Sequence, residues 1–202
     1  MNRITPGILV LIILGSVIAG GIGGFFLGVL STKAGKAFIQ DIFEEEKRAE
    51  IKTPKNITRA RFKLQYPSNW KIDEQDEDYD PDSMFAIDSP GSTFVMFALG
   101  NGEIDSEESL EDQIHQFEKI MSNITIEKFE KFGKYSGKGA IMKGKNMGIK
   151  MTVKLFSFNQ EDFSIMVTEQ CPDEDLLLTL DGLKLIETSF EIISAKPSEK
   201  LK

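Results

Sequence analysis

Thiol and imidazole are nearly absent from this chain: one cysteine, Cys171, and one histidine, His115, in 202 residues. A single cysteine excludes an internal disulfide, so the fold must rest on its hydrophobic core. It also excludes lipid attachment near the N-terminus, which needs a cysteine at the end of the apolar run. Zinc-type Cys/His spacing is missing, as are a phosphate-binding glycine loop and a nucleophile elbow. Catalysis by a Ser-His-Asp or Cys-His pair would need His115. That residue follows Ile114 in a predicted helix with no motif around it, and reads as a surface or edge histidine. Cys171 precedes Pro172 at a predicted helix start, where a thiolate would be favoured. A packed, inert thiol is the simpler reading. Basic charge is in deficit, with Lys+Arg 24 against Asp+Glu 32 and a net charge of -8. That balance argues against broad nucleic-acid binding. The chain is therefore expected to be non-catalytic, with no cofactor and no nucleic-acid partner.

Charge of either sign is missing from Ile4 to Thr32. From Ile8 to Leu30 the residues are Ile, Leu, Val, Phe, Ala and Gly with one Ser. As a helix this run is roughly 35 Å long, enough to cross a hydrocarbon core of about 30 Å. Val17-Ile18-Ala19 could serve as a signal-peptidase site. The apolar run continues past it through Phe25, Phe26, Leu27, Val29 and Leu30, which suits an uncleaved span. Residues 7–31 are thus expected to contact a lipid bilayer. Ser16, Gly20, Gly24 and Gly28 recur every four residues, so one helix face is small enough for a second helix to approach. Self-association or a membrane-helix partner is expected there; the plain alternative is that glycine is common in such helices. Lys33, Lys36, Lys47 and Arg48 follow the span, which favours a cytoplasmic C-terminal side. A short tail before a single span, in contrast, commonly precedes an exported domain.

Four regions are predicted: an anchor over 1–32, a juxtamembrane helix and linker over 33–57, a globular domain over 58–193 and a disordered tail over 194–202. Phe38, Ile39, Ile42 and Phe43 place an apolar patch on a helix over 34–51, which the linker Thr53-Pro54-Lys55-Asn56 ends. Arg61 to Tyr66 alternates, with Phe62, Leu64 and Tyr66 on one face. Met84–Ile87 and Thr93–Leu99 are two more strands joined by Ser89-Pro90-Gly91-Ser92. Ser106 is expected to cap a helix buried through Leu110, Ile114, Phe117 and Met121. Three or four strands follow between Ile124 and Thr168, broken at Gly133, at Gly137-Lys138-Gly139, at Gly144 to Gly148 and at Asn159-Gln160. A last helix is expected from Pro172 to about Ile186 with Leu176, Leu177, Leu180 and Leu183 inside. Phe190 to Ile193 would close the sheet. The fold class is α+β, an antiparallel sheet flanked by helices, plus one N-terminal transmembrane helix.

The opening strand ends in Tyr66-Pro67-Ser68-Asn69-Trp70, and the C-terminal helix leads into Ser189-Phe190. This order over residues 58–193 resembles the PsbP-like superfamily, which includes PsbP and the DcrB-type envelope proteins. The resemblance implies an α/β/α sandwich and an accessory or binding role rather than an enzymatic one. It also implies export, with the C-terminal domain outside the cytoplasm of a bacterial inner membrane. Trp70 has a structural account of its own, since it can fill a small core, and Pro67 ends a strand.

Two charged regions remain. Asp76, Asp78, Asp80 and Asp82 alternate in the acidic stretch 73–82, so their carboxylates could converge on a cation such as calcium. Pro81 and Ile87 stand where an EF-hand needs Gly and Glu, and a solvated loop is the plainer expectation. Lys128, Lys131, Lys134, Lys138, Lys143, Lys145, Lys150 and Lys154 face only Glu127 and Glu130 along this stretch. They would either dock on anionic headgroups or an acidic partner, or protect exposed hairpins from edge pairing. The functional expectation is a membrane-anchored interaction module of an envelope protein complex; the alternative is a binder of a small hydrophobic ligand or lipid near the bilayer.

Overall fold

The computed structural model describes residues 46–75, 78–160 and 162–193. The expected span, its face of Ser16, Gly20, Gly24 and Gly28, and the tail 194–202 lie outside the described residues. Among the described residues no helix is long and apolar enough to cross a membrane.

The described residues hold ten strands and two full helices: β1 (Lys55–Thr58), β2 (Phe62–Tyr66), β3 (Lys71–Ile72), β4 (Met84–Asp88), β5 (Phe94–Asn101), α1 (Ser106–Ile120), β6 (Met121–Phe132), β7 (Tyr135–Asn146), β8 (Ile149–Gln160), β9 (Phe163–Pro172), α2 (Leu176–Ser189) and β10 (Glu191–Ile192). Every pairing is antiparallel. Seven strands form the main sheet in the order β3-β4-β5-β9-β8-β7-β6, and β1-β2-β10 form a small one. Helix α1 covers one face of the main sheet through Leu110 and Phe117, packed with Ala140, Met142, Val153 and Leu155. Helix α2 and the small sheet cover the other face. There Phe62, Phe85, Phe97, Phe190, Phe132, Tyr135, Phe156 and Phe158 stack in a continuous aromatic core. Each fully buried ring contributes about 1.5–3 kcal/mol, so this core replaces the missing disulfides.

Several expectations change. Asp105, not Ser106, caps α1: its carboxylate accepts from the N–H groups of Glu107 and Glu108. Gly137 and Gly139 do not break a strand. They lie inside β7, where a Cβ on Gly139 would collide with the Phe129 ring and one on Gly137 with the Ser157 carbonyl oxygen. Lys55 and Asn56, read as linker, pair with Tyr66 and Gln65 because Ile57 is buried against the core. Pro172 ends β9 rather than starting a helix. Leu177 and Leu180 are exposed, and α2 instead buries Thr179, Gly182, Leu183 and Ile186. The terminal strand joins β2 in the small sheet rather than closing the large one.

The Tyr-Pro-x-x-Trp segment acquires a packing role. Trp70 is fully buried, and a Cβ on Gly182 would stand 2.8 Å from Pro67 Cγ and 2.9 Å from both Trp70 Cζ2 and Ala49 Cβ. Glycine at this point lets α2 settle on that segment.

Candidate functional site: a cleft between α2 and the sheet

On the α2 side of the main sheet, β9 presents Ile165, Val167, Glu169 and Cys171 in alternation, and β8 presents Phe158, Phe156, Lys154 and Thr152 opposite them. Lys154 and Glu169 are therefore direct cross-strand neighbours, between the Thr152–Cys171 pair and the apolar Phe156–Val167 pair. Leu176, Leu180 and Leu183 of α2 stand over them, and Ile141 of β7 completes the wall. These residues enclose a cleft of about 340 Å³.

Three charged groups meet at its base. Lys154 Nζ donates to Glu187 Oε2 at 2.6 Å and lies 3.8 Å from Glu169 Oε2. Its ammonium also sits over the Phe129 and Phe132 rings, at 5.5 and 5.0 Å from their centroids. Glu187 uses its other oxygen to accept from the Gly133 N–H at 3.0 Å. Glu169 is 6 % exposed, and its Oε1 has no hydrogen-bond partner. Burial pushes its carboxyl up to about 7; Lys154 opposes the shift and Glu187 adds to it. Such a displaced carboxyl in a cleft marks a candidate site.

Cys171 lines the same cleft but is buried, and burial pushes its thiol up. Thr93 donates to its sulfur at 3.1 Å, and the Thr179 hydroxyl lies 3.4 Å away. This is a packed thiol, not an activated one. His115 is exposed and meets Glu118 at 3.1 Å.

The acidic stretch, a candidate cation site by its alternation, is largely spent on local structure. Asp80 accepts from the Asp82 N–H at 2.9 Å and pairs in an isolated bridge with Met84, so its carboxylate shapes a turn. The Asp82 N–H, followed by the Ser83 hydroxyl, holds that carboxyl below the usual range. Asp82 accepts from the Ala60 N–H at 3.4 Å. Asp78 is described, and Asp76 lies outside the described residues. Among the described residues no group of three or more His, Cys, Asp or Glu is arranged to hold a metal ion.

The basic half is less uniform than the sequence implies. Lys128 and Lys138 meet Glu111 and Glu107 of α1, and Lys134 meets Glu191, at 3.7 to 3.9 Å. By contrast, Lys143, Lys145 and Lys150 are exposed on one face at the end of the β7–β8 hairpin, without a carboxylate partner among the described residues. Lys145 and Lys150 are directly opposite each other, an unfavourable juxtaposition. The turn is Met147-Gly148, both at positive φ, as a two-residue hairpin loop of type I′ requires. It leaves Met147 88 % exposed, with Ile149 exposed beside it. The tip is thus both apolar and basic.

Sequence reasoning missed the cleft, although a signal was present. Glu169 and Lys154 each occupy the core phase of an alternating strand, where a charge is out of place unless it has a partner.

No protein-family model matches the chain, and no curated protein matches its sequence. Solved structures do match. The yeast Ran-binding protein Mog1p, from Saccharomyces cerevisiae, superposes with a TM-score of 0.51 at 6% identity, covering 69% of this chain and 95% of that one. LpqN, involved in cell envelope biogenesis of Mycobacterium tuberculosis, gives 0.45 at 15% identity over 69% and 89%. Cyanobacterial PsbP from Synechocystis gives 0.45 at 6% identity over 71% and 94%. The described residues thus have an α+β fold like that of Mog1p.

Proposed function

We propose that this chain is a membrane-anchored, non-enzymatic docking module of the bacterial cell envelope. The uncharged run from Ile4 to Thr32 supports the anchor. The inert Cys171 and the exposed His115 support a role without catalysis. The observation that carries the docking role is the β7–β8 tip. Its three lysines, without a carboxylate partner among the described residues, and two exposed apolar side chains suit an anionic bilayer surface. Near such a surface each lysine contributes about 1 kcal/mol, hence about 3 kcal/mol for the three, while Met147 and Ile149 reach the acyl boundary.

The test uses the full-length chain in vesicles with an environment-sensitive dye on Met147→Cys. Phosphatidylglycerol in the vesicles should raise and blue-shift the emission. High salt, or the triple change Lys143→Glu, Lys145→Glu and Lys150→Glu, should abolish that response. Emission indifferent to anionic lipid would sink this reading and leave an acidic protein as the occupant of the tip.

A second reading, binding of a small hydrophobic ligand, is favoured by the cleft under α2. The core itself is filled by stacked rings, and the larger cleft lined by Glu46, Arg48, Glu50, Lys71, Asp73 and Asp88 is strongly charged, whereas the one under α2 has a mostly apolar lining.

A further inference from the structure

The cleft under α2 has the means to select a ligand by charge. Its walls carry the aliphatic side chains of Ile141, Leu176, Leu180 and Leu183, with Thr152, Cys171 and Thr188 among them. Its base holds two carboxylates and one ammonium. Glu187 has both oxygens engaged, by Lys154 and by the Gly133 N–H. Lys154 is committed to Glu187 at 2.6 Å and stands off at 3.8 Å from Glu169. Glu169 Oε1 is left buried without a donor. A buried acceptor without a partner has given up its water without replacement, and the cost is larger when it is charged. A donor brought in by a ligand would recover that cost, and a cationic donor would also balance the second carboxylate.

We propose that this cleft binds a small apolar molecule bearing a protonated amine, whose ammonium donates to Glu169 Oε1 while its hydrocarbon part lies against Ile141, Leu180 and Leu183. This rests on the small-ligand reading above and supplies its chemistry. A carboxylate or phosphate head would meet Glu169 as a like charge, and a neutral alcohol would leave the charge unbalanced. Binding couples to protonation, because the cation needs Glu169 ionised. The titratable groups around that carboxyl are Lys154 on β8, Cys171 on β9, and Glu187 and Lys184 on α2, and burial pushes Glu169 itself up to about 7.

The experiment uses the full-length chain in lipid nanodiscs with methyl-labelled Ile and Leu. Cyclohexylmethylammonium is the probe, with cyclohexylmethanol and cyclohexanecarboxylate as matched controls. At pH 8 the ammonium should shift the Ile141, Leu180 and Leu183 methyls saturably. Its affinity should fall at least tenfold at pH 5.5 and at least tenfold in Glu169→Gln. Leu180 is half exposed, so Leu180→Trp plugs the mouth on a folded protein without touching the carboxyl, and should remove the shifts. Equal binding of the alcohol would overturn selection by charge while leaving a small-ligand site. Equal binding of the carboxylate would overturn the role of Glu169. Shifts by none of the three would overturn both this proposal and the small-ligand reading.

Discussion

Glu169 shows what one misplaced charge does to a fold. Its carboxyl is held near 7 rather than at its ordinary 4.5, chiefly by burial. Between those values the folded chain keeps a proton that the unfolded chain has released. Stability therefore falls as pH rises through that window and levels off above it. The full displacement from 4.5 to about 7 corresponds to on the order of 3 kcal/mol. Glu169→Gln removes the ionisation and leaves Lys154 paired with Glu187. Urea denaturation should find the variant equal to the parent near pH 4.5, and more stable by roughly 2–3 kcal/mol near pH 8. A difference independent of pH would show that the carboxyl is not displaced. The residue could be flagged from its phase in Ile165-Met166-Val167-Thr168-Glu169-Gln170-Cys171. Its partners could not, because Lys154 comes from another strand and Glu187 from a helix that had to be placed first.

Helix α2 shows where periodicity stops being informative. Leu176, Leu177, Leu178, Leu180, Leu183, Leu185 and Ile186 surround it, so hydrophobicity marks no unique face. Small residues choose it instead: Thr179 and Gly182, with Leu183 and Ile186, follow the i, i+3, i+4, i+7 pattern of a buried stripe. Gly182→Ala tests this. In an exposed helix interior that change would gain about 1 kcal/mol. Here the new Cβ would meet Pro67, Ala49 and Trp70 at 2.8 to 2.9 Å on three sides, two of them rings. Overpacking of this kind costs about 1–3 kcal/mol. A melting temperature lower by several degrees is expected, and an unchanged or higher one would mean that α2 can shift freely. The strand Phe62-Leu64-Tyr66 was easier to read, because its alternation has one apolar face and charged or polar residues on the other.

At the scale of the whole molecule, the element order and the α+β class were legible in the sequence. The division into two sheets was not, because β10 is two residues long and its pairing with β2 spans most of the domain. The position of the entering chain was also hidden. Lys47 pairs with Asp175 at 2.9 Å, the Ala49 N–H donates to the Leu178 carbonyl, and the Asn69 amide donates to the Glu46 and Arg48 carbonyls. Residues 46–50 are therefore part of the packing over Trp70. A fragment of residues 46–193 should exceed one of residues 53–193 in stability by about 1–3 kcal/mol, net of ordering entropy. Urea midpoints and the emission wavelength of Trp70 would check this; coincident curves would show that the strap adds nothing.

The small sheet sets how the domain bears force. β1 and β10 flank β2 and both run antiparallel to it, so they are parallel to each other. The chain enters β1 beside Tyr66 and leaves β10 beside Phe62, at opposite ends of β2. Tension between the two ends draws β1 and β10 in opposite directions along β2. The ladder hydrogen bonds lie across that direction, so they are loaded together in shear rather than peeled one by one. A domain tugged between a membrane at one end and a partner at the other would yield first at the strap of residues 46–50, and only then at the sheet.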